Sequence, residues 1–96
     1  MTNRVSQSRL RLRLYIAGPG TYATRAEQNI TRFAAAMGID YDLEIVDLRQ
    51  HPDRAATDAI VVTPTLIKLS PPRAMVFGDL ADLRKIAIAF GMAPPA

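Results

Sequence analysis

The segment that decides the fold is residues 60–69, which read IVVTPTLIKL. Two runs of aliphatic and β-branched side chains flank the Thr63-Pro64 peptide, and Pro71 and Pro72 follow as a turn. Val, Ile and Thr favour extended backbone because the two heavy atoms on Cβ restrict χ1. Pro64 fixes its own φ, removes one ladder donor and disfavours helix at Thr63. The segment therefore predicts a buried strand that is entered through a special turn, of the kind that accommodates a cis peptide bond.

The composition is that of one soluble domain. The 96 residues are 49% hydrophobic and 22% charged, as in ordinary globular chains. No apolar run approaches the ~20 residues that span a bilayer, and the polar opening residues lack the apolar centre of a signal peptide. We therefore expect a cytoplasmic protein without a membrane partner. With no cysteine and one histidine, a thiolate nucleophile, a disulfide framework and a zinc cluster are excluded.

The charge pattern favours an acidic partner over a nucleic acid. The net charge is +3, and four arginines crowd one end of the chain, at Arg4, Arg9, Arg11 and Arg13. A charged end is more often a solvated surface than a nucleic-acid site, and no RNA-binding aromatic motif accompanies it. We expect no nucleic-acid partner.

The N-terminal half predicts a strand–helix–strand unit. Leucines alternate with arginines at the start of residues 9–17, and the run then becomes continuously apolar, as in a strand that is progressively covered. A Thr-x-x-Glu capping box at residues 24–27 predicts a helix start, and Gly38 predicts its end. Alternating residues 41–48 predict a second strand. Because a full helix joins the two strands, we expect them to be parallel.

The C-terminal half predicts a short helix, a hairpin and a last helix. Pro52 suits the first position of a short polar helix. A strand over residues 65–69 and another over residues 74–77 flank the proline turn and are expected to pair antiparallel. Asp79 is the predicted cap of the last helix, which ends at Gly91.

The resulting order β-α-β-α-β-β-α is the thioredoxin topology, an α/β fold. We expect a single domain over residues 9–91, between a disordered tail at residues 1–8 and a frayed tail at residues 92–96. Two segments give conflicting signals. Residues 86–90 fit a helix face, yet their large side chains also alternate as in a strand, and residues 60–62 prefer strand where the short helix is expected to finish. Because the local and global structural preferences of a chain usually agree in proteins with one fold, two such conflicts in one half of the chain are notable.

Several short motifs, in order and at their spacing, resemble those of the KaiB family, small circadian-clock proteins of cyanobacteria with relatives in other bacteria. The similarity runs from about Leu12 to Phe90. The motifs are Leu14-Tyr15-Ile16-Ala17-Gly18, Arg25-Ala26, Val46-Asp47-Leu48, Ala59, Thr63-Pro64-Thr65-Leu66, Lys68-Leu69, Pro71-Pro72 and Gly78-Asp79-Leu80.

The resemblance implies a binding protein that is not an enzyme and needs no cofactor. Proteins of this family dock on the N-terminal ATPase ring of the hexameric kinase KaiC, compete there with the sensor domain of the SasA histidine kinase, and in cyanobacteria capture KaiA. The family is metamorphic: a resting homo-oligomer, tetramer or dimer, has a rearranged C-terminal half, and a thioredoxin-like monomer binds KaiC.

The resemblance also implies two sets of site residues. Basic side chains at Arg25, Lys68 and Arg73 match family positions and are expected to meet a partner, the alternative being that they are solvated ends of their elements. The turn and fold-switch positions are Thr63, Pro64, Pro71, Pro72, Ala89 and Gly91.

The sequence departs from the family in the region that is expected to switch. Ala89 stands where the family has glycine, and alanine favours helix over glycine by about 0.8–1 kcal/mol. Gly91 replaces an aspartate, and the family's three-proline turn is one residue shorter here. We therefore hypothesise that this chain favours the thioredoxin-like state more than cyanobacterial KaiB does.

The competing class is an enzyme domain related to the N-terminal domain of glutathione transferases, which shares the fold and the proline before strand three. Thr21 or Tyr22 lies near the position of the activating hydroxyl in that class. Against it, Gly78-Asp79-Leu80 lacks the Glu-Ser pair that would hold the γ-glutamyl group of glutathione.

Overall fold

The computed structural model describes residues 9–95, and the predicted tail at residues 1–8 lies outside them. The order of elements is the predicted one, which confirms the thioredoxin-like α/β fold. No helix among the described residues is long and apolar enough to cross a membrane. The elements are β1 (Leu10–Ile16), α1 (Thr21–Met37), β2 (Tyr41–Asp47), α2 (Arg54–Thr57), β3 (Thr65–Lys68), β4 (Ala74–Phe77) and α3 (Leu83–Ala89).

The four strands form one sheet in the order β2-β1-β3-β4. β1 and β2 are parallel, as the helix between them requires, and β1/β3 and β3/β4 are antiparallel. Leu12 therefore lies between Leu43 of β2 and Lys68 of β3. The strand predicted from residues 60–69 is thus the central β3, flanked on both sides.

The two faces of the sheet are covered differently. The helical face carries the even-numbered residues of β1 and packs them on α1 and α3, where Phe33 and Phe90 meet edge to face at 5.8 Å. The opposite face, which we call the α2 face, packs Tyr15, Val46 and Ile67 under the segment that follows α2. Both faces of the central strands are buried, which explains why the sequence of β1 becomes continuously apolar.

The predicted start of α1 is wrong by one turn. The helix begins at Thr21, and no side chain caps it, because the N-cap residue is Gly20. The amide of Thr24 donates to the carbonyl of Gly20 at 3.0 Å as the first bond of the helix. The capping-box pair at residues 24–27 therefore lies inside the helix. The Gly-Pro-Gly sequence that ends β1 lets the chain turn into the helix immediately.

The predicted starts of α2 and α3 are also wrong. Pro52 lies in the turn before α2, whose N-cap is Asp53. The cap of α3 is Asp82, whose carboxylate accepts from the amides of Arg84 and Lys85, and not Asp79. Two aspartates three residues apart both have N-cap chemistry, so the local sequence does not distinguish between them.

The two ambiguous segments each take one conformation. Ile86 and Ala87 are buried on the inner side of α3, whereas Ile88 is 63% exposed, as a helix and not a strand requires. Ile60 turns towards the α2-face core, but Val61 is 85% exposed in an irregular loop. Ala59 has a left-handed backbone, φ 55°, which interrupts the chain before the apolar run can pair as a strand.

Candidate partner-binding site

The proline turn that precedes β3 opens onto a cavity at one end of the sheet. The Thr63–Pro64 peptide is cis, which confirms the predicted special turn. The carbonyl of Pro64 accepts from the amide of Gly78 at 2.9 Å, so the turn is held against the end of β4. A cavity of about 260 Å³ is lined here by the turn and by the segment from Ile16 to Ala23, which leads from the end of β1 into the first turn of α1.

Exposed apolar side chains belong to this end of the chain path. Tyr22 lines the cavity and is largely exposed, and the exposed Val61 and Val62 immediately precede Thr63, which also lines it. We call Tyr22, Val61 and Val62 the proline-end surface. Large apolar side chains grouped at one end of a small domain are typical of a protein-binding surface.

A buried carboxylate is the centre of an ionic cluster on the α2 face. The side chain of Asp58 is 7% exposed and accepts from the hydroxyl of Tyr15 at 2.5 Å and from Nη1 of Arg13 at 2.9 Å. It also pairs with the guanidinium of Arg73, which directly precedes β4. Arg13 is shared with Glu44 at 2.7 Å. The Asp58 cluster therefore ties β1, β2, the end of α2 and the β3–β4 turn together.

The protonation states follow from this geometry. Burial by itself would raise the pKa of Asp58, but the hydrogen bonds from Tyr15 and Arg13 and the charge of Arg73 outweigh it and lower that pKa. Burial, and then the bond to the Asp58 carboxylate, raises the pKa of Tyr15. The hydrogen bond to Glu44 is the main cause that raises the pKa of Arg13. These directions of the pKa keep Asp58 ionised, Tyr15 neutral and Arg13 positively charged at neutral pH.

The three predicted basic residues do not form one patch. Arg25 is exposed on α1, and Arg73 is half exposed and belongs to the Asp58 cluster. Lys68 is only 3% exposed and lies on the helical face, where its ammonium is 6.0 Å from the ring centroid of Phe90. Its aliphatic chain completes the core, and its charge lies over an aromatic face. A role of these residues in partner binding stays a prediction.

The predicted switch positions fall at the ends of elements. Thr63 is exposed beside the buried Pro64, and the Pro71–Pro72 peptide is also cis, in the turn that joins β3 to β4. Ala89 is the exposed last residue of α3. Two residues later, Gly91 has φ 74°, a conformation in which glycine is favoured after a helix. A change of fold at these positions stays a prediction.

Sequence reasoning missed Asp58. It lies at the end of a short polar helix, where an aspartate normally faces water, and its partners are far away in the sequence. The available signal was the alternation of β1, which sends Arg13 to the same face as Tyr15 and so calls for a carboxylate near both.

The fold and its surfaces define a class of protein: a thioredoxin-like domain with no cysteine, whose proline end offers apolar contacts in place of a thiol. The structure resembles the N-terminal domain of SasA from Synechococcus elongatus, with a TM-score of 0.64 at 23% identity over 75% of this chain and 70% of that one. It also resembles mitochondrial thioredoxin 3 of Saccharomyces cerevisiae, with a TM-score of 0.61 at 16% identity over 94% of this chain and 82% of the other. These likenesses establish the fold.

The chain belongs to the KaiB family, because the KaiB domain model matches residues 13–91. It is 37% identical over 92 residues to circadian clock protein KaiB3 of Synechocystis sp., covering 94% of this chain and 90% of that protein. It is 36% identical over 84 residues to circadian clock oscillator protein KaiB of Picosynechococcus sp., covering 84% and 80%. The resemblance drawn from the short motifs is thereby confirmed.

Proposed function

We propose that this chain is a clock-type regulator that binds the N-terminal ATPase ring of a KaiC-type hexamer in the cytoplasm and modulates its phosphorylation cycle. Membership of the KaiB family over residues 13–91 is the observation that carries this proposal. The described arrangement adds support, because β3, β4 and α3 form the thioredoxin-like half that family resemblance assigns to the binding state. In this role the chain performs no chemistry of its own.

The surface that we assign to this contact is the proline-end surface, with Arg25 beside it. Tyr22 and Arg25 are three residues apart on α1 and therefore share one side of the helix. An apolar centre with an arginine at its rim has the composition of protein–protein interfaces. A KaiC-type ring would bind through a complementary apolar and acidic surface.

The shared fold suggests how the chain would act in a pathway. A SasA-type sensor domain has the same architecture, so the two would compete for one surface of the ring. KaiA is a further candidate partner where the host has one. We also propose that a resting homo-oligomer, tetramer or dimer, has a rearranged C-terminal half that must convert before the ring is bound.

The alternative of a glutathione transferase-like enzyme domain has weaker support. Tyr22 does line the cavity at the proline turn. The family match over residues 13–91, however, is to the KaiB domain and leaves little of the chain for another assignment.

Size-exclusion chromatography with light scattering tests the proposal, using the chain with and without the host's KaiC-type hexamer and nucleotide. Co-elution, with added mass in steps of 10.5 kDa, is the expected result. Val61→Asp should weaken the complex by about tenfold, because an exposed apolar contact is replaced by a charge. Ile88→Asp, a similar change on α3, is the matched control. Absence of a complex in every nucleotide and phosphorylation state would refute the proposal.

A further inference from the structure

The α2 face of the sheet is covered only in part. The helical face lies under α1 and α3, which have 17 and 7 residues, whereas α2 on the opposite face has four. At the end of the α2 face beside the β3–β4 turn, Arg11 is exposed and Leu69 is half-buried. A sheet face that carries apolar side chains is normally covered by a second layer. This end of the face therefore has room for a further element.

Arg11 and Leu69 are neighbours across β1 and β3. The amide of Leu69 donates to the carbonyl of Arg11 at 2.7 Å, and the amide of Arg11 donates to Oγ of Ser70 at 2.9 Å. Leu69 packs against the α2-face core. Arg11 has the parity of Arg13, which pairs with Asp58 on that face. Both residues line one cavity of about 270 Å³, so their side chains lie side by side on the uncovered part of the face.

Arg73 brings a second guanidinium to this end of the face. Arg73 and Leu69 are the next residues beyond the last pair of the β3–β4 ladder, on either side of the turn. The ion pair with Asp58 holds Arg73 on the α2 face, where its side chain is still 52% exposed. A guanidinium has five N–H donors, so Arg73 can bind a second anion. Arg11 and Arg73 therefore flank Leu69, with backbones about 10 Å apart at two strand spacings.

The ionic side chains of the α2 face have an excess of positive charge. Their ion pairs join four arginines to three carboxylates, as Arg9–Asp42, Arg13–Glu44, Arg13–Asp58, Arg54–Glu44 and Arg73–Asp58. Arg11 is a fifth arginine on this face, and within residues 9–95 it takes part in none of these pairs. Its register neighbour Asp42 binds Arg9 instead, at 2.6 Å. The group therefore carries two more positive charges than negative ones and attracts an acidic ligand.

We propose that Arg11, Leu69 and Arg73, which we call the Arg11 surface, bind an acidic amphipathic helix of a partner protein. In such a helix, two carboxylates seven residues apart are separated by about 10 Å, which matches the spacing of the two arginines. An apolar side chain between these carboxylates would contact Leu69, and the helix would continue the layer that α2 begins. The Arg11 surface lies at the opposite end of β3 from the proline-end surface, so the proposal does not depend on ring binding.

Fluorescence anisotropy with a labelled synthetic peptide tests this proposal on the full chain. The peptide is helical, with glutamates at a spacing of seven residues and a leucine between them. At about 50 mM salt we expect a dissociation constant of about 0.1 mM, which should rise more than tenfold at about 500 mM salt because exposed charges are screened. The same peptide with lysine in place of each glutamate should not bind.

Matched variants locate the contact. Arg11→Gln removes an exposed guanidinium without breaking an ion pair and should weaken peptide binding about threefold to fivefold. Arg84→Gln, the same change at an exposed residue of α3, is the control and should bind like the unaltered chain. In NMR spectra, the amides of Leu69 and Ser70 should shift as the peptide is added, while that of Val62, in the proline-end surface, stays fixed.

The outcomes are distinguishable from those of the ring-binding test. Val61→Asp, which is expected to weaken ring binding, should leave peptide binding unchanged. Absence of binding at about 1 mM protein, equal binding of the lysine peptide, or equal loss in Arg84→Gln would each overturn the proposal. Chemical shift changes centred on Val62 would overturn it too, because the peptide would then occupy the proline-end surface.

Discussion

Replacing Asp58 by asparagine removes one negative charge from a buried position that three side chains share. Asparagine has nearly the same shape and can still accept a hydrogen bond, so the substitution isolates the charge. Tyr15 would keep a weaker hydrogen bond to the asparagine, Arg13 would keep its ion pair with Glu44, and water would solvate the half-exposed Arg73. The change therefore tests whether a buried carboxylate stabilises this fold.

The expected loss of stability is about 2 kcal/mol. A hydrogen bond to a charged group contributes about 1.5–3 kcal/mol and one to a neutral group about 0.5–1.5 kcal/mol, so the weakening of the bond from Tyr15 accounts for roughly 1 kcal/mol. Arg13 loses one of its two carboxylates, for roughly 1 kcal/mol. The pair with Arg73, which is 52% exposed, contributes at most a few tenths of a kcal/mol because water screens it. This sum is a large share of the ~5–15 kcal/mol by which domains are stable.

Urea unfolding followed by circular dichroism measures this loss. With a slope of about 1 kcal/mol per molar urea, the midpoint should fall by about 2 M. Asp53→Asn is the control, because Asp53 is exposed, makes no capping bond and should change stability by less than about 0.5 kcal/mol. A fall of less than about 1 M for Asp58→Asn would refute the reasoning, since the cost of burying the charge would then cancel its bonds.

Three further predictions concern pH, the last helix and the buried lysine. The pKa of Asp58 is lowered in the folded state, so its contribution to stability is present above its unfolded pKa of about 4 and is lost as pH falls through the folded pKa. The urea midpoints of the unaltered chain and of Asp58→Asn should stay apart at about pH 7 and approach each other as the pH falls below about 4. Ala89→Gly should cost up to about 1 kcal/mol of helix stability, which changes any equilibrium between two folds roughly fivefold. Backbone chemical shifts of this variant should then show strand character within α3, and helix-type shifts alone would contradict the fold switch. Lys68→Met should leave the affinity for a KaiC-type hexamer unchanged within about twofold, because Lys68 is only 3% exposed, whereas Arg25→Glu should weaken it about tenfold. Fluorescence anisotropy measures both affinities, and the reverse order would refute our assignment of the surface.

The order of elements could be predicted because each element has a local signal. Alternation in β1, the proline before β3 and the apolar face of α3 are periodic or stereochemical features that a short window contains. The helix starts were less accessible, because capping residues such as Asp79 and Asp82 occur close together and tertiary packing chooses between them.

The contents of the site depended on information that a short window lacks. The partners of Asp58 are 43 and 45 residues away in the sequence, so only the folded sheet shows that its carboxylate is needed. The burial of Lys68 had a signal that was not used, because it shares the parity of Leu66 and must face the same core. If the alternation of side chains along a strand had been applied to charged residues as well, Lys68 would have been predicted in the core and not in one patch with Arg73.

The Asp58 cluster and β3 both fix the C-terminal half against β1. The strong bonds of Asp58 go to Arg13 and Tyr15 of β1, so they hold the end of α2, which belongs to the C-terminal half, on the strand–helix–strand unit. β3 contributes packing, because Leu66 and Ile67 are fully buried on opposite faces of the sheet. The pair with Arg73 is different, because Arg73 is 52% exposed and water screens it. An Asp58–Arg73 double-mutant cycle should therefore give a coupling of only a few tenths of a kcal/mol.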